Sequence, residues 1–569
     1  MKTRVPMGVE GRRWLAGAST RMGWWMAWQL MVLVIPAAQA DQPLSWRLRF
    51  EQPTSPGASR YHRLYRQETW PARQTAVIVC DMWDAHHSVN AVRRVVELAP
   101  RIDGFCRALR QRGATVIHAP SSCMGAYEGH PARVRALGTP RASDMPDDIG
   151  TWCDQIPGEE MAAYPLDQSD GGEDDDWEEH GRWAQRLEAD GRNPRAPWIR
   201  QTPAIAIDPG LDYISDDGQE IWSILQHRGI DNVILVGVHT NMCVLGRPFG
   251  LRRLAAAGKN VVLARDLTDT MYDPRDWPYC NHFTGTDRII RHIERYVCPT
   301  ISSDQLLGDA PFRFRDDRRL HLVMLIAEDE YQTAETLPRF AEKHLGEHFS
   351  VSICYGSDTQ RHHIVGLEEI DRADALLISV RRRALLSADM ERLRRFVAAG
   401  KPVIGIRTAS HAFSLRGAEP PPGHEVWDAW DAVVFGGNYT GHHANDLHPS
   451  VMLAPLAAKH PIVAAVGDGG GWTSSGSLYK VSPLQPGTGV LAYGSLADMP
   501  PEPVAWTFVR SDGGRSFYTS LGHADDFDHP EFEALLSAGI HWAAGLSPHG
   551  IDAVRAQSQR FDQGAGRQR

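Results

Sequence analysis

Asp81 and Cys243 are the two residues in this chain whose types and positions could do chemistry together. Each follows an apolar, β-branched run: T-A-V-I-V-C ends at Asp81, and N-V-I-L-V-G leads through V-H-T-N-M to Cys243. Runs of this kind read as strands buried on both faces of a parallel sheet. Strand ends of a parallel sheet share one carboxyl edge, which is where α/β sheets place their sites. The residues after Cys243 read as a helix start, whose dipole would lower the thiol pKa. A carboxylate beside a thiol is a base beside a nucleophile, an arrangement suited to attack on a carbonyl-type carbon.

The elements needed to position that pair are legible around it. Further strands are expected over 114–118 and 260–264. Helices are expected over 92–112 and 244–257, the second stopped by Gly258. Strands alternating with helices make a β-α-β series and hence a doubly wound parallel sheet.

At these residues the chain resembles the isochorismatase-like cysteine hydrolases. The strand-end Asp81, the block VILVGVHTNMCV and the stretch AAAGKNVVLARDLTDT carry the resemblance, over roughly residues 74–300. It implies that Asp81 is the base and Cys243 the nucleophile acting on an amide-type carbon–nitrogen bond. It implies a cis peptide at Val238–His239, with the N–H groups of His239 and Cys243 forming an oxyanion hole. The family's assisting lysine is missing from the window APWIRQTPAIAI, where Arg200 is the residue available; arginine can orient a carboxylate but cannot shuttle a proton. Trp83, His86 and Asn241 are expected to contact substrate. The metal-binding D-x-H of some members is absent from the loop holding His118 and His130. Asp84, His86 and His87 have ligand chemistry, but adjacent histidines point apart on a regular element. No metal ligand is therefore assigned and no cofactor expected, a divalent metal staying open.

The second half repeats the α/β pattern. Strands are expected at HLVMLIAED, DALLISV and KPVIGI, and helices at 333–345 and 387–399, the latter capped by Ser387 and stopped by Gly400. The pieces PVIGIRTASHAF, VVFGGNYTGHH and the stretch from AWTFVRSDGG to HWAAG resemble the ThuA-like domain, a relative of class I glutamine amidotransferases. Where those amidotransferases carry a nucleophilic cysteine, this chain has Arg407, so ligand binding rather than glutamine hydrolysis is implied. The expected pocket comprises Arg407, His411, His442, His443, His523 and Asp525, with His448 a further histidine nearby. Its expected ligand is an anion or carbohydrate.

The fold class expected is therefore α/β, two doubly wound three-layer domains with mainly parallel sheets. The boundaries read as a signal peptide over 1–40, a hydrolase-like domain over 41–308, a linker over 309–317, a ThuA-like domain over 318–548 and a disordered tail over 549–569. The signal reading rests on Arg12, Arg13 and Arg21, the apolar run 22–36 and the A-Q-A before Asp41, which implies a periplasmic or secreted protein. An acidic, Pro- and Gly-rich insertion, about 126–197, is expected as a solvated loop or lid near the site.

A net charge of −10 argues against nucleic acid as the main partner. No run after the leader is long enough for a membrane span. Eight cysteines over 569 residues, with no C-x-x-C, form neither a zinc ribbon nor a disulfide scaffold, though one or two bridges stay open. The partner expected is a small-molecule substrate, with homo-oligomer formation left open. Two functional readings remain, an exported thiol hydrolase and a non-catalytic binding protein built from two altered enzyme folds.

Overall fold

The computed structural model describes residues 42–467 and 471–567. The expected signal segment, residues 1–40, lies outside them. The described residues belong to one compact unit built on two large sheets.

The first sheet holds β1 (Leu44–Pro53), β2 (Tyr61–Trp70), β3 (Thr75–Cys80), β4 (Thr115–Ala119), β5 (Tyr213–Ile214), β6 (Asn232–Val238), β7 (Asn260–Asp269) and β8 (Thr300–Ile301). Their spatial order is β2-β1-β8-β7-β6-β3-β4-β5. The six strands from β8 to β5 are parallel, and the hairpin β1–β2 adds an antiparallel edge that the sequence reading does not anticipate. Every side chain of β3 and β6 is buried, as two-sided coverage by helices requires. Core residues lie on both faces: Ile78 and Leu235 on one, Val77 and Ile234 on the other.

The second sheet starts with β9 (Leu320–Ala327), β10 (Phe349–Tyr355) and β11 (Ala375–Val380). With Val403–Ile406 and Arg515–Thr519 these form its parallel half; Glu502–Val509, Thr488–Ser495, Ser450–Leu453 and Trp472–Thr473 extend it antiparallel. The α/β class and the doubly wound parallel cores are as the sequence implies.

Several local expectations change. The helix expected over 244–257 is broken: a π-turn spans Thr240–Val244 and an α-helix only Leu251–Ala256, with Pro248 and Gly250 between. Ser387 is the first helical residue rather than the cap, and its hydroxyl donates to the Gly423 carbonyl. The expected tail is instead a helix, Ile551–Arg567, anchored by buried Val554 and Phe561. It turns helical because it has an apolar stripe to bury: Phe561 meets Trp277, and the Arg560 guanidinium lies 3.9 Å from the Tyr279 ring centre.

The stretch expected as a linker is also held in place. Phe314 is buried and stacks on Phe283 of the first half. Across the halves Arg63 bonds Ser352 Oγ at 2.7 Å and Glu369 at 3.3 Å, and the Tyr65 hydroxyl donates to Glu369. Among the described residues, no helix is long and apolar enough to cross a membrane.

Candidate functional site

Asp81 sits immediately after β3 with φ of 46° and is fully buried. A positive φ at a non-glycine residue is a costly backbone state, seen most often at functional turns. Close approach of β6 to β3 brings the thiol to it. Gly237 pairs with Cys80, and a Cβ there would stand 2.0 Å from the Cys80 carbonyl oxygen. From that contact the chain runs through the Val238–His239 cis peptide, at the position the family resemblance implies, into the π-turn bearing Cys243.

The Cys243 thiol and the Asp81 carboxylate lie close enough in the buried site for each to act on the other's charge. Asp81 accepts from the Ser121 N–H at 2.8 Å and from Arg247 Nε at 3.0 Å. Burial raises the Asp81 pKa, and Arg247 and the Ser121 N–H only partly offset it. Burial also pushes the Cys243 thiol well up, and the negative charge of Asp81 pushes it further. A helix-lowered thiol is thus the wrong expectation: the following helix is a broken turn, and desolvation beside an anion dominates. The resting thiol is neutral.

Arg200 does not occupy the assisting slot. Its side chain is 59% exposed and faces Asp84 at 3.6 Å, and Arg247 is the cation on Asp81. Nothing in the sequence marks Arg247 for this role, because it lies after the cysteine beside Pro248, in a stretch whose apolar spacing reads as a continuous helix. Trp152, from the insertion, packs over the Arg247 guanidinium at 5.6 Å.

Trp83 and His86 do gather beside the pair. Trp83 stacks on Trp198 at 4.5 Å and on His86 at 6.0 Å, and His86 meets His239 edge-on at 5.0 Å. Burial holds both imidazoles neutral, His239 at about 3 and His86 well below its ordinary value. His239 Nε2 is buried without a protein partner. Asn241 serves structure instead of substrate: its amide exchanges two hydrogen bonds with the Met271 backbone, at 2.8 and 3.0 Å.

Asp84, His86 and His87 do not converge as ligands. Asp84 pairs with Arg192 at 3.0 Å, His86 Nδ1 accepts from the Ser88 N–H, and His87 Nε2 bonds Glu173. His118 and His130 are likewise engaged, His118 between Gln201 and Asp212, His130 as a helix cap. All eight cysteines are free and buried.

The insertion is folded onto the site rather than solvated. Its helix Trp177–Ala189 places Trp183 Nε1 on the His86 carbonyl, and Asp175 caps the helix Val89–Gln111 through Ser88, Val89 and Asn90. Glu159 is buried with Arg252 and His292 at 2.7 and 2.8 Å. Charged runs can fold this way when each carboxylate meets a donor.

In the second half Arg407 follows the strand Val403–Ile406 with φ of 46°, matching the backbone of Asp81. Its guanidinium is buried between Tyr331 and Tyr479, 4.0 and 5.0 Å from their ring centres, and donates to the Ser520 carbonyl. His411 stacks on Tyr439 at 4.4 Å, and His442 and His523 reach this group through Tyr479 and Tyr331. Arg407, His411, His442 and His523 thus surround one aromatic cluster.

His443 is tied by its backbone to Leu478, His448 bonds the Ser475 carbonyl, and Asp525 is 62% exposed. The buried carboxylate is its neighbour Asp526, which accepts from Gly522, His523 and Ser474. Tyr331, Tyr439 and Tyr479 were missed because lone tyrosines between turns carry no spacing signal.

Residues 322–543 match the family model described as ThuA, trehalose utilisation. That segment contains Arg407 and the aromatic cluster around it. Among solved structures, the chain is similar to a ThuA-like protein of Bacteroides uniformis ATCC 8492, at 15% identity and TM-score 0.31, covering 41% of this chain and 95% of that one. It is similar to a cysteine hydrolase of Pseudomonas syringae pv. phaseolicola 1448A, at 16% identity and TM-score 0.25, covering 42% and 94%. It is also similar to an isochorismatase family protein of Burkholderia thailandensis, at 15% identity and TM-score 0.24, covering 42% and 97%. No curated protein matches this chain.

Proposed function

We propose that this chain is an exported cysteine hydrolase that cleaves a carbon–nitrogen bond of a small, flat molecule at Cys243, and that its ThuA-matching half binds a separate polar ligand such as a carbohydrate. The observation that carries the reading is the buried Asp81 carboxylate beside the Cys243 thiol at the β3–β6 edge, with Arg247 held on Asp81 at 3.0 Å. In the proposed step the thiol proton passes to Asp81 as sulfur attacks the electrophilic carbon. The N–H groups of His239 and Cys243 receive the oxyanion. Asp81 then returns the proton to the leaving nitrogen, and the carbon–nitrogen bond breaks to give a thioester. Water, deprotonated by Asp81, cleaves that ester and restores the thiol. Arg247 opposes the rise that burial imposes on the Asp81 pKa and carries no proton itself.

The wall of Trp83, Trp198 and His86 suits a planar substrate, because aromatic faces stack on flat groups. In the second half, Arg407 under Tyr331 and Tyr479 suits recognition of an anion or of sugar hydroxyls. Arg407 also stands where a nucleophile would be needed for glutamine hydrolysis. A second reading, a binding protein without turnover, is favoured by the deeply protonated thiol and by Arg407 itself. A panel of amides and ureido compounds tested on the mature chain separates the two: product formation lost in Cys243→Ala supports hydrolysis, and binding without product supports the second reading.

A further inference from the structure

Three histidines outside both sites converge at the end of the second half. His348 precedes β10, His541 closes the helix Pro530–Ala543, and His549 lies in the connection to the helix Ile551–Arg567. One ring nitrogen from each lies within 4.8 Å of the others. His541 Nδ1 stands 2.8 Å from the Ser537 carbonyl, which can only accept, so that nitrogen carries the proton. Its Nε2 therefore presents a lone pair, and it points at His348 Nδ1 from 3.4 Å. His549 Nε2 lies 3.4 Å from the same His348 nitrogen.

Hydrogen bonding alone explains this poorly. His348 Nδ1 can donate to only one of the two nitrogens, and cannot donate to His541 while accepting from His549; 3.4 Å also exceeds the usual length of about 2.7–3.2 Å. A metal explains it directly. Nitrogen ligands about 2.0–2.1 Å from a tetrahedral ion stand about 3.3–3.4 Å apart. The bond from His541 Nδ1 to a backbone carbonyl is the outer-shell contact that fixes a ligating imidazole.

We propose that His348, His541 and His549 form a binding site for a divalent ion of the zinc class. Three neutral imidazoles suit zinc and its neighbours rather than calcium or magnesium. The fourth position is left to water or a small ligand from the adjoining cleft of about 290 Å³, which His549 and Ser537 line together with Cys280 and Tyr279. The ion would join the start of β10 to the connection feeding Ile551–Arg567. That helix bonds the Tyr279 carbonyl through Gln557 and packs Phe561 on Trp277, so the ion would pin a clasp between the two halves.

The test is metal binding by the full mature chain, purified without a polyhistidine tag. Zinc should bind with one equivalent at these residues, and cobalt(II) in its place should give the visible absorption of a tetrahedral nitrogen site. His549→Ala, in an external connection, should weaken zinc binding at least a hundredfold and abolish the cobalt spectrum. Zinc should raise the melting temperature of the parent and not of that variant. His348→Gln serves as a second variant, with circular dichroism confirming that both fold. Absence of zinc binding by the parent, or unchanged binding in both folded variants, overturns the proposal.

Discussion

Arg247 Nε donates to Asp81 Oδ2 at 3.0 Å, so the cation beside the candidate base comes from four residues after the nucleophile rather than from Arg200. The arrangement sets a cation against the rise that burial imposes on the Asp81 pKa, next to a neutral thiol. It divides the work: Asp81 moves the proton, and Arg247 sets how readily Asp81 holds one.

Arg247 therefore controls the acid limb of the pH profile. It lowers the Asp81 pKa against the rise that burial imposes, so its removal must raise that pKa. In Arg247→Met the acid limb of kcat/KM should move to higher pH, with at least a tenfold loss at neutral pH. Arg200→Lys should leave both unchanged, because Arg200 is exposed on Asp84. An unshifted profile in Arg247→Met, or a shift in Arg200→Lys, contradicts the assignment.

The thiol should be sluggish at rest. Burial and Asp81 both hold Cys243 protonated, so alkylation by iodoacetamide should be slow at neutral pH and quicken as pH rises. Peptide mapping at a series of pH values measures this. Rapid labelling of Cys243 at neutral pH would mean that the thiolate already predominates.

The contact between the halves should be acid-sensitive. Burial alone would raise the Glu369 pKa, but Arg63, Arg49 and the Tyr65 hydroxyl outweigh it and hold the group at about 2. A folded value below the unfolded one of about 4.5 stabilises the protein above that pH, and the contribution fades as pH falls toward about 2. Its full size is roughly 3 kcal/mol. Glu369→Gln should destabilise the chain by about 2–4 kcal/mol at pH 7, leaving Arg63 short of a buried partner, and should flatten this part of the acid transition. Urea titrations at several pH values decide it; equal stability of variant and parent at pH 7 would show that the pair contributes nothing.

Export predicts a processed chain. Mass spectrometry of periplasmic or secreted material should find a first residue of Asp41, whereas a full-length cytoplasmic chain would remove the basis for an exported protein.

The strands that position the site were legible because burial on both faces writes a continuous apolar run, as in Thr75–Cys80 and Asn232–Val238. The pairing of Asp81 with Cys243 followed from the shared edge of parallel strands. The thiol's protonation state was not legible, since desolvation depends on how the folded chain packs around the thiol. Arg247 was hidden by a broken helix whose apolar spacing reads as continuous. Asn241 was mistaken for a substrate contact because an amide that braces a turn has the same sequence appearance as one that binds a ligand. The second pocket's tyrosines come from separate loops, and only folding brings Tyr331 and Tyr479 to either side of Arg407.

A trapped intermediate tests the role of Cys243 most directly. The mature chain is incubated with the amide and ureido panel, quenched in acid and weighed intact, alongside Cys243→Ala and Asp81→Asn. For a true substrate the acyl group should add to Cys243, with product formation abolished in Cys243→Ala and reduced by orders of magnitude in Asp81→Asn. Near-normal turnover in Cys243→Ala would contradict that role.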